Sequence, residues 1–331
     1  MKKKVLVLAA IVLQSALGFC QAGQKDFPDL QGPYLGQALP GMTPELFAPG
    51  IVSTGLDERD MAFTPDGREL YFTATFNGGS AIVACKMVNG KWAPPEVAGF
   101  SGQYPDFEPF INQDGSLFYF VSNRPLDNAS EPLASTHIWF MKREGEQWSQ
   151  PLPLGAPING RGNVYFPSLT TAGTMYFTRR DAGEREYIYR SKFVNGRYQE
   201  PEKLPLQVNS TDNQFNSYIS PDESFLIIPV YGRKDAIGTT DYYVAFRGKN
   251  DNWSALINLG PAINSTLAEY SPSLSPDGKY FFFQRNNQPV EKYELPITYK
   301  EIQEIHNRPA NGNSDIYWVD AQIIEKLRPK Q

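Results

Sequence analysis

Acidic side chains recur at one position of a repeated pattern in this 331-residue sequence, at the residues where strands are expected to begin. These strand starts hold Asp60, Asp106, Glu108 and Glu269, together with Asn216. Because side chains two residues apart point to the same side of a strand, the spacing predicts that these groups meet at one rim of the structure. Carboxylates gathered in this way can bind a hydrophilic ligand, hold calcium, or act as acid and base in hydrolysis.

Basic and aromatic side chains are predicted at the same rim. Arg124, Arg179 and Arg285 follow the second strand of their repeats, and Tyr165 and Tyr270 stand beside strand starts. Together with the acidic set they predict a polar, aromatic-lined pocket suited to a glycan or a peptide. The alternative is a structural role, in which each carboxylate satisfies an arginine or a backbone N–H of a neighbouring repeat. The sequence leaves both interpretations open.

Several other chemistries find no support in the composition. Two His and two Cys nearly exclude a His/Cys zinc site. There is no Ser-His-Asp order and no Gly-rich phosphate loop, so acyl and phosphoryl transfer lack a motif. A calcium site would favour denser acidic loops than this sequence has. We therefore predict no catalytic residue, no metal and no cofactor, and the net charge of −5 argues against a nucleic-acid partner.

The elements that must position these residues belong to an internal repeat. An apolar strand, a tight turn and an aromatic-rich strand recur together, and the turns fall at positions 66, 114, 172, 222 and 277, which are 48 to 58 residues apart. The turn at Pro65-Asp66-Gly67 shows the logic: proline presets φ, aspartate caps its own backbone, and glycine tolerates positive φ. The third copy is degenerate, with Thr171-Ala172-Gly173 at its turn.

Each copy continues with a third strand and, in most copies, a fourth segment that opens with an aromatic residue. The second strands are apolar on both faces, as in Phe281-Phe282-Phe283, which is typical of a strand between two other sheets. Four-stranded units at this period predict an all-β, five-bladed β-propeller of antiparallel blades. The segment 47–54 resembles 259–266, the fourth segment of the fourth unit. We expect an N-terminal strand to complete the last blade and close the ring.

The Pro-Asp-Gly turns and the aromatic strands after them resemble the WD40-like β-propeller repeat of TolB-type periplasmic proteins. The strand endings Ser122-Asn-Arg124, Thr178-Arg179 and Gln284-Arg285 are also similar to that family. The resemblance covers about residues 45 to 320 and implies the propeller fold, but it says little about function, because one fold hosts many roles. The family's TolB protein is expected to have six blades and a separate N-terminal domain, so its partner role is not carried over.

The N-terminus predicts export. Lys2, Lys3 and Lys4 precede an apolar run and small residues, which is typical of a secretory signal peptide over 1–22. A lipid anchor at Cys20 is an alternative that we do not favour, because bulky Phe19 stands where lipoprotein signals have a small residue. We expect an N-terminal extension over 23–44, the propeller over 45–331, no membrane span, and a periplasmic or extracellular location.

These observations favour a non-catalytic binding module for a protein, a peptide or an envelope glycan. The main alternative is a carbohydrate-active hydrolase that uses two rim carboxylates, drawn from Asp60, Glu108 and Glu269. A third alternative is a structural component of a cell-envelope complex that binds through blade edges. The insertion at 286–313 is expected to contain a short helix and is either a lid over the rim or a decoration.

Overall fold

The computed structural model describes residues 27–126, 131–160, 162–287 and 295–330. The predicted signal peptide over 1–22, which includes Cys20, lies outside the described residues. The described chain forms five four-stranded antiparallel blades, which confirms the predicted propeller. In each blade the second and third strands pair along most of their length, although the connections between them range from two residues in the first blade to the long insertion in the fifth.

The strands of the first three blades follow one another in chain order from the inner to the outer edge of each sheet. In the first blade they are Asp57–Phe63, Glu69–Phe76, Gly79–Val88 and Glu96–Val97. In the second they are Asp106–Ile111, Leu117–Ser122, His137–Glu144 and Leu152–Pro153. In the third they are Val164–Leu169, Met175–Asp181, Arg185–Ser191 and Glu202–Lys203. Short additional strands precede the outer strand at Lys91–Trp92, Gln147–Trp148, Phe193–Val194 and Arg197–Tyr198.

The fourth blade repeats this order, and the fifth is completed from the N-terminus. The strands of the fourth blade are Tyr218–Ile219, Phe225–Tyr231, Thr240–Phe246 and Ile257–Asn258. Those of the fifth are Glu269–Leu274, Tyr280–Asn286, Ser314–Asp320 and Glu45–Leu46. The described chain also holds short helices at Tyr34–Gly36, Ile158–Gly160, Lys249–Asp251, Tyr299–His306 and Gln322–Glu325.

The ring closes as the sequence predicts. Glu45 lies opposite Trp318 and Leu46 opposite Tyr317, and the amide of Phe47 donates to the carbonyl of Ile316 at 2.9 Å. The pairing residues thus lie just before the segment 47–54 that suggested the closure. The N-terminal strand thus pairs with the outer edge of the last C-terminal strand, which would otherwise be open.

The turns carry the chemistry expected of them. Four of the five hold an aspartate whose side chain accepts a hydrogen bond from the amide two residues later, at Asp66, Asp114, Asp222 and Asp277. This local bond fixes the turn and so aligns the strands on either side. The degenerate third turn has Ala172 at that position and cannot make the bond.

The core lies between blades rather than within one central mass. Phe281 and Phe283 pack towards the fourth blade, whereas Phe282, between them, packs towards the first blade. A strand sandwiched between two neighbouring sheets needs apolar side chains on both faces, which explains the unbroken aromatic run. The described part of the extension joins this core, because Tyr34 packs edge-on against Phe63 with ring centroids 5.7 Å apart.

Candidate functional site

Five half-buried side chains, one from each blade, line an open pocket at one end of the central channel. They are Arg59, Phe107, Tyr165, Phe215 and Tyr270. This pocket, called the mouth pocket below, has a volume of about 450 Å³. It lies at the rim where the inner strands begin, since the starts of the third strands of the second and fourth blades also line it, through Thr136 and Thr240. A pocket of this size accommodates a small ligand or the end of a glycan or peptide chain.

The residues on either side of each ring member are buried. The preceding positions are Glu58, Asp106, Val164, Gln214 and Glu269, and the following positions are Asp60, Glu108, Phe166, Asn216 and Ser271. The same pattern of buried, half-buried and buried side chains therefore recurs in all five blades. Rotational repetition of one local geometry places the five central side chains in a ring.

A β-bulge shapes this part of each inner strand. The following positions all have positive φ, at 60° for Asp60, 57° for Glu108, 52° for Phe166, 49° for Asn216 and 66° for Ser271. The pairing register with the second strand shifts there, for example between Phe107 and Phe110. Such a bulge adds a residue to one strand and redirects its side chains, which brings the strand start towards the channel.

Arg59 links the first two blades beneath the pocket. Its Nε donates to Asp60 Oδ2 at 2.8 Å and its Nη2 donates to Glu108 Oε1 at 2.6 Å. The guanidinium also lies over the ring of Tyr270, with 5.2 Å to the centroid, so that the fifth blade contacts the same group. A planar guanidinium suits this role because it can bind two carboxylates and stack on an aromatic face at once.

Glu108 is held on both carboxylate oxygens. Oε1 accepts from Arg59, and Oε2 accepts from the amide of Phe166 in the third blade at 2.7 Å. Burial raises the pKa of Glu108 above its usual range; Arg59 opposes this, and the nearby Asp60 carboxylate adds to it. Asp60 is also buried, and its Oδ1 has no hydrogen-bond partner among the described residues. Both carboxylates line a smaller cavity of about 20 Å³ deeper in the channel, enough for one water molecule.

The remaining charges of the pocket are paired across the third blade. Arg180 Nη2 donates to Glu186 Oε1 at 2.8 Å, and both side chains line the pocket. Asn163 Oδ1 accepts from the amide of Thr136 at 2.8 Å, which ties the second blade to the third. The lining therefore contributes two guanidiniums and two carboxylates that satisfy each other, and its other functional groups are aromatic rings, amides and hydroxyls.

Four of the ten predicted site residues line this pocket: Glu108, Tyr165, Asn216 and Tyr270. The other six lie beside or beneath it and do not line it. They are Asp60, Asp106, Arg124, Arg179, Glu269 and Arg285. Whether any of the ten contacts a ligand stays a prediction.

These six make internal contacts in the structure. Arg124 Nη2 donates to Asp106 Oδ1 at 2.7 Å, and Arg179 Nε donates to Asp181 Oδ1 at 3.0 Å. Glu269 accepts from the hydroxyl of Ser265, and Arg285 Nη2 donates to the carbonyl of Ala262 at 3.1 Å. The pair of Arg124 and Asp106 lies within the second blade and that of Arg179 and Asp181 within one strand, whereas the structural alternative expects partners in a neighbouring repeat.

Sequence reasoning missed three ring members: Arg59, Phe107 and Phe215. Strand alternation, applied from the acidic residues, selects the two buried positions on either side of each ring member. The ring member between them faces the pocket. A signal for the bulge was present, because Pro109, Pro167 and Pro272 stand inside inner strands. Proline cannot donate to a strand ladder and is confined there to edges and bulges.

The insertion that follows the second strand of the fifth blade contains the predicted helix, Tyr299–His306. Thr298 begins it with a capping box: its hydroxyl accepts from the amide of Glu301, and its own amide donates to the Glu301 carboxylate. None of the described insertion residues, 287 and 295–313, lines the pocket. In the described ranges, no group of three or more His, Cys, Asp or Glu side chains is arranged to hold a metal ion.

Comparison with known proteins assigns no specific function to this chain. No protein-family model and no curated protein matches the sequence. Similar solved structures include TolB from Acinetobacter baumannii, at 20% identity and TM-score 0.45 over 71% of this chain and 50% of that one. They also include a putative TolB from Agrobacterium tumefaciens, at 12% identity and TM-score 0.48 over 80% and 90%. An alpha-L-arabinofuranosidase from Lactobacillus brevis is also similar, at 11% identity and TM-score 0.46 over 81% of this chain and 91% of that one.

The similar solved structures thus carry the names of TolB proteins and of an alpha-L-arabinofuranosidase. This chain spans half the length of the Acinetobacter TolB chain it matches. At such identities and TM-scores the similarity assigns no function to this chain, because one fold hosts many roles. Within the described ranges no helix is long and apolar enough to cross a membrane.

Proposed function

We propose that this protein is an exported, non-catalytic binding module that takes a neutral saccharide of an envelope glycan in the mouth pocket. The observation that carries the proposal is the ring of Arg59, Phe107, Tyr165, Phe215 and Tyr270 around one open pocket. Aromatic faces pack against the C–H faces of sugars, and amides and hydroxyls satisfy sugar hydroxyls.

The charge balance of the lining favours a neutral ligand over a charged peptide. Arg59 is paired with Glu108, and Arg180 with Glu186, at 2.6 and 2.8 Å. A ligand carrying its own charge would have to break one of these pairs or remain unpaired in the pocket, which is costly. A neutral polar ligand needs only hydrogen bonds and ring contacts.

A hydrolase is the second candidate, because Asp60 Oδ1 is buried without a partner among the described residues and the pKa of Glu108 is raised by burial. Glycosidases use two carboxyl groups close together, one of which has a raised pKa. Against it, both oxygens of Glu108 already accept hydrogen bonds, and Asp60 is not among the residues that line the pocket. We therefore rank recognition first.

A glycan array with the mature protein, followed by calorimetry on the best hit, tests the proposal. Phe215→Ala should weaken binding of that glycan by about 5- to 30-fold, as expected for an aromatic anchor. The matched control is Phe193→Ala, at a half-exposed ring on the third blade outside this pocket, which should leave the affinity unchanged. Equal affinities for the two variants would contradict the site. Turnover of the bound glycan that Asp60→Asn abolishes would establish the hydrolase instead.

A further inference from the structure

A second cavity, of about 1060 Å³, lies between the second and third blades at the other end of the molecule. Its lining includes the turns that join first and second strands, at 112–114 and 170–173, whereas the mouth pocket lies where the inner strands begin. This interblade cleft is independent of the site proposed above. Its size is that of clefts that enclose most of a small organic ligand.

The equivalent place between the first and second blades is filled. Trp148 Nε1 donates to the hydroxyl of Tyr71 at 2.9 Å, and Arg143 Nη2 donates to Glu69 Oε1 at 2.7 Å. The guanidinium of Arg143 lies over the indole of Trp148, with 4.8 Å to its centroid. A large aromatic ring and an ion pair together seal that interface.

The interface between the second and third blades keeps an aromatic pair, Tyr119 and Tyr198, but lacks the ion pair of this seal. Phe193 and Tyr198 lie opposite each other, as Arg143 and Trp148 do in the second blade. Leu117 opens the second strand of its blade, where Glu69 does so in the first. Without the guanidinium and the carboxylate no ion pair can form, and Phe193 remains 44% exposed.

The next interface along the ring is sealed again by charge. Arg190 of the third blade forms an ion pair with Asp251 of the fourth. Arg247, which lies opposite Trp253, forms ion pairs with Asp251 at 2.8 Å and with Glu223. The cleft thus opens where the pattern of aromatic ring and ion pair is interrupted.

The cleft combines an apolar interior with a basic lip. Tyr119, Phe140 and Tyr198 line it, and the hydroxyls of Tyr119 and Tyr198 are 3.4 Å apart across it. Lys142 and Arg197 are exposed lining residues, and neither forms an ion pair with any residue that the structure describes. The one acidic lining residue, Asp114, accepts from the amide of Ser116 at 2.8 Å to hold its turn.

We propose that this cleft binds a small amphipathic carboxylate, such as a medium-chain fatty acid. The apolar chain packs against Phe140, Tyr198 and the Leu117 side of the cleft, and the carboxylate lies at the lip between Lys142 and Arg197. Charge complementarity selects the anion, because two exposed cations without an ion-pair partner among the described residues line this cleft. The apolar lining contributes affinity in proportion to the chain buried.

Titration of the mature protein with dodecanoate tests this site, with dodecanol and dodecyltrimethylammonium as neutral and cationic probes. Calorimetry should show dodecanoate binding more tightly than either. Lys142→Gln and Arg197→Gln should each weaken dodecanoate binding by about 2- to 5-fold and leave dodecanol unaffected. Lys234→Gln, at an exposed lysine outside the cleft, is the matched control and should change nothing.

A sealing variant tests the cleft itself. Leu117→Glu with Phe193→Arg copies the pair formed by Glu69 and Arg143 and should reduce binding of all three probes. The charge variants keep the proposal testable if that double variant does not fold. Equal affinity for dodecanoate and dodecanol, no binding of dodecanoate, or binding unchanged in both charge variants would each overturn it. Binding of the array glycan by the same charge variants reports on the mouth pocket separately.

Discussion

The guanidinium of Arg59 lies 2.6 Å from the carboxylate of Glu108, which joins the first blade to the second directly beneath the mouth pocket. Glu108 in turn accepts from the amide of Phe166, so three consecutive blades meet at one carboxylate. The same guanidinium also binds Asp60. This small network lies at the bottom of the pocket and fixes the spacing of the inner strands.

Removing the cation should destabilise the ring more than removing its main partner. Arg59→Met leaves Asp60 and Glu108 buried without a counter-charge, at a cost of about 3 kcal/mol in the free energy of unfolding. Glu108→Gln keeps an acceptor for Phe166 and leaves Arg59 with Asp60, so it should cost less. Urea denaturation of both variants and of the double variant measures the coupling. Strict additivity of the two losses would show that the pair does not interact.

A second prediction concerns pH and the ring closure. Glu58 and Asp315 are buried beside the junction of the first and last blades. Burial raises the pKa of Glu58 to about 7, against hydrogen bonds from Thr54 that lower it, and burial raises the pKa of Asp315 to about 6. A carboxyl whose pKa is higher in the folded state than in the unfolded state stabilises the fold below its unfolded pKa. That stabilisation is lost as the pH rises through the folded pKa.

The free energy of unfolding should therefore fall between about pH 4.5 and pH 7 through Glu58, by on the order of 2 kcal/mol. Glu58→Gln removes this titration and retains the contacts with Thr54, so its stability should vary less over that range and exceed that of the parent at pH 8. Denaturation curves from pH 4.5 to 8 give the difference. Glu45→Gln, at an exposed position, serves as control. If the free energy of unfolding of the parent and of Glu58→Gln varied with pH in the same way, the raised pKa of Glu58 would be refuted.

A third prediction follows from close packing at Gly55. A Cβ atom there would lie 2.5 Å from the carbonyl oxygen of His306 and 2.7 Å from the Cα of Asn307, both backbone atoms that cannot swing aside. Asn311 and Asn313 also donate to the carbonyl of Gly55, at 2.9 and 3.0 Å. Gly55→Ala should lower the free energy of unfolding by about 1–3 kcal/mol through this overpacking.

Thermal and urea denaturation measure the loss in Gly55→Ala. The control is Gly41→Ala, because a Cβ at Gly41 meets nothing within 4 Å. If the two variants were equally stable, the insertion would not be fixed against the N-terminal segment as described.

The fold was predictable because its determinants are local and repeated. The Asp66, Asp114, Asp222 and Asp277 turns each specify the same strand pair, and an aromatic run such as Phe281-Phe282-Phe283 requires a sheet on both sides. Ring closure was predictable from the missing outer strand at the C-terminal end. Five copies of one signal outweigh the degeneracy at Ala172.

The site was predictable only in part, because a single bulge reverses which side chains face the pocket. Strand alternation selects Asp106 and Glu269, whereas the structure buries them and presents Phe107 and Tyr270. A shift of one residue exchanges the two faces of a strand. Pro109 marks the bulge, but its consequence for side-chain direction depends on the positive φ of Glu108, which composition does not reveal.

The last prediction tests that bulge through backbone strain at Ser271. Its φ of 66° lies in the left-handed region, which glycine adopts without the steric cost that other residues meet. Ser271→Gly should therefore match the parent or exceed its stability by up to about 1 kcal/mol, whereas Ser271→Val, with a branched Cβ, should lose about 2 kcal/mol or more. In Ser273→Gly, in the same strand beyond the bulge, added chain entropy without relief of strain should cost about 0.5–1 kcal/mol. Urea denaturation of the three variants gives the order, and Ser271→Gly falling below Ser273→Gly would contradict the left-handed conformation on which the pocket ring depends.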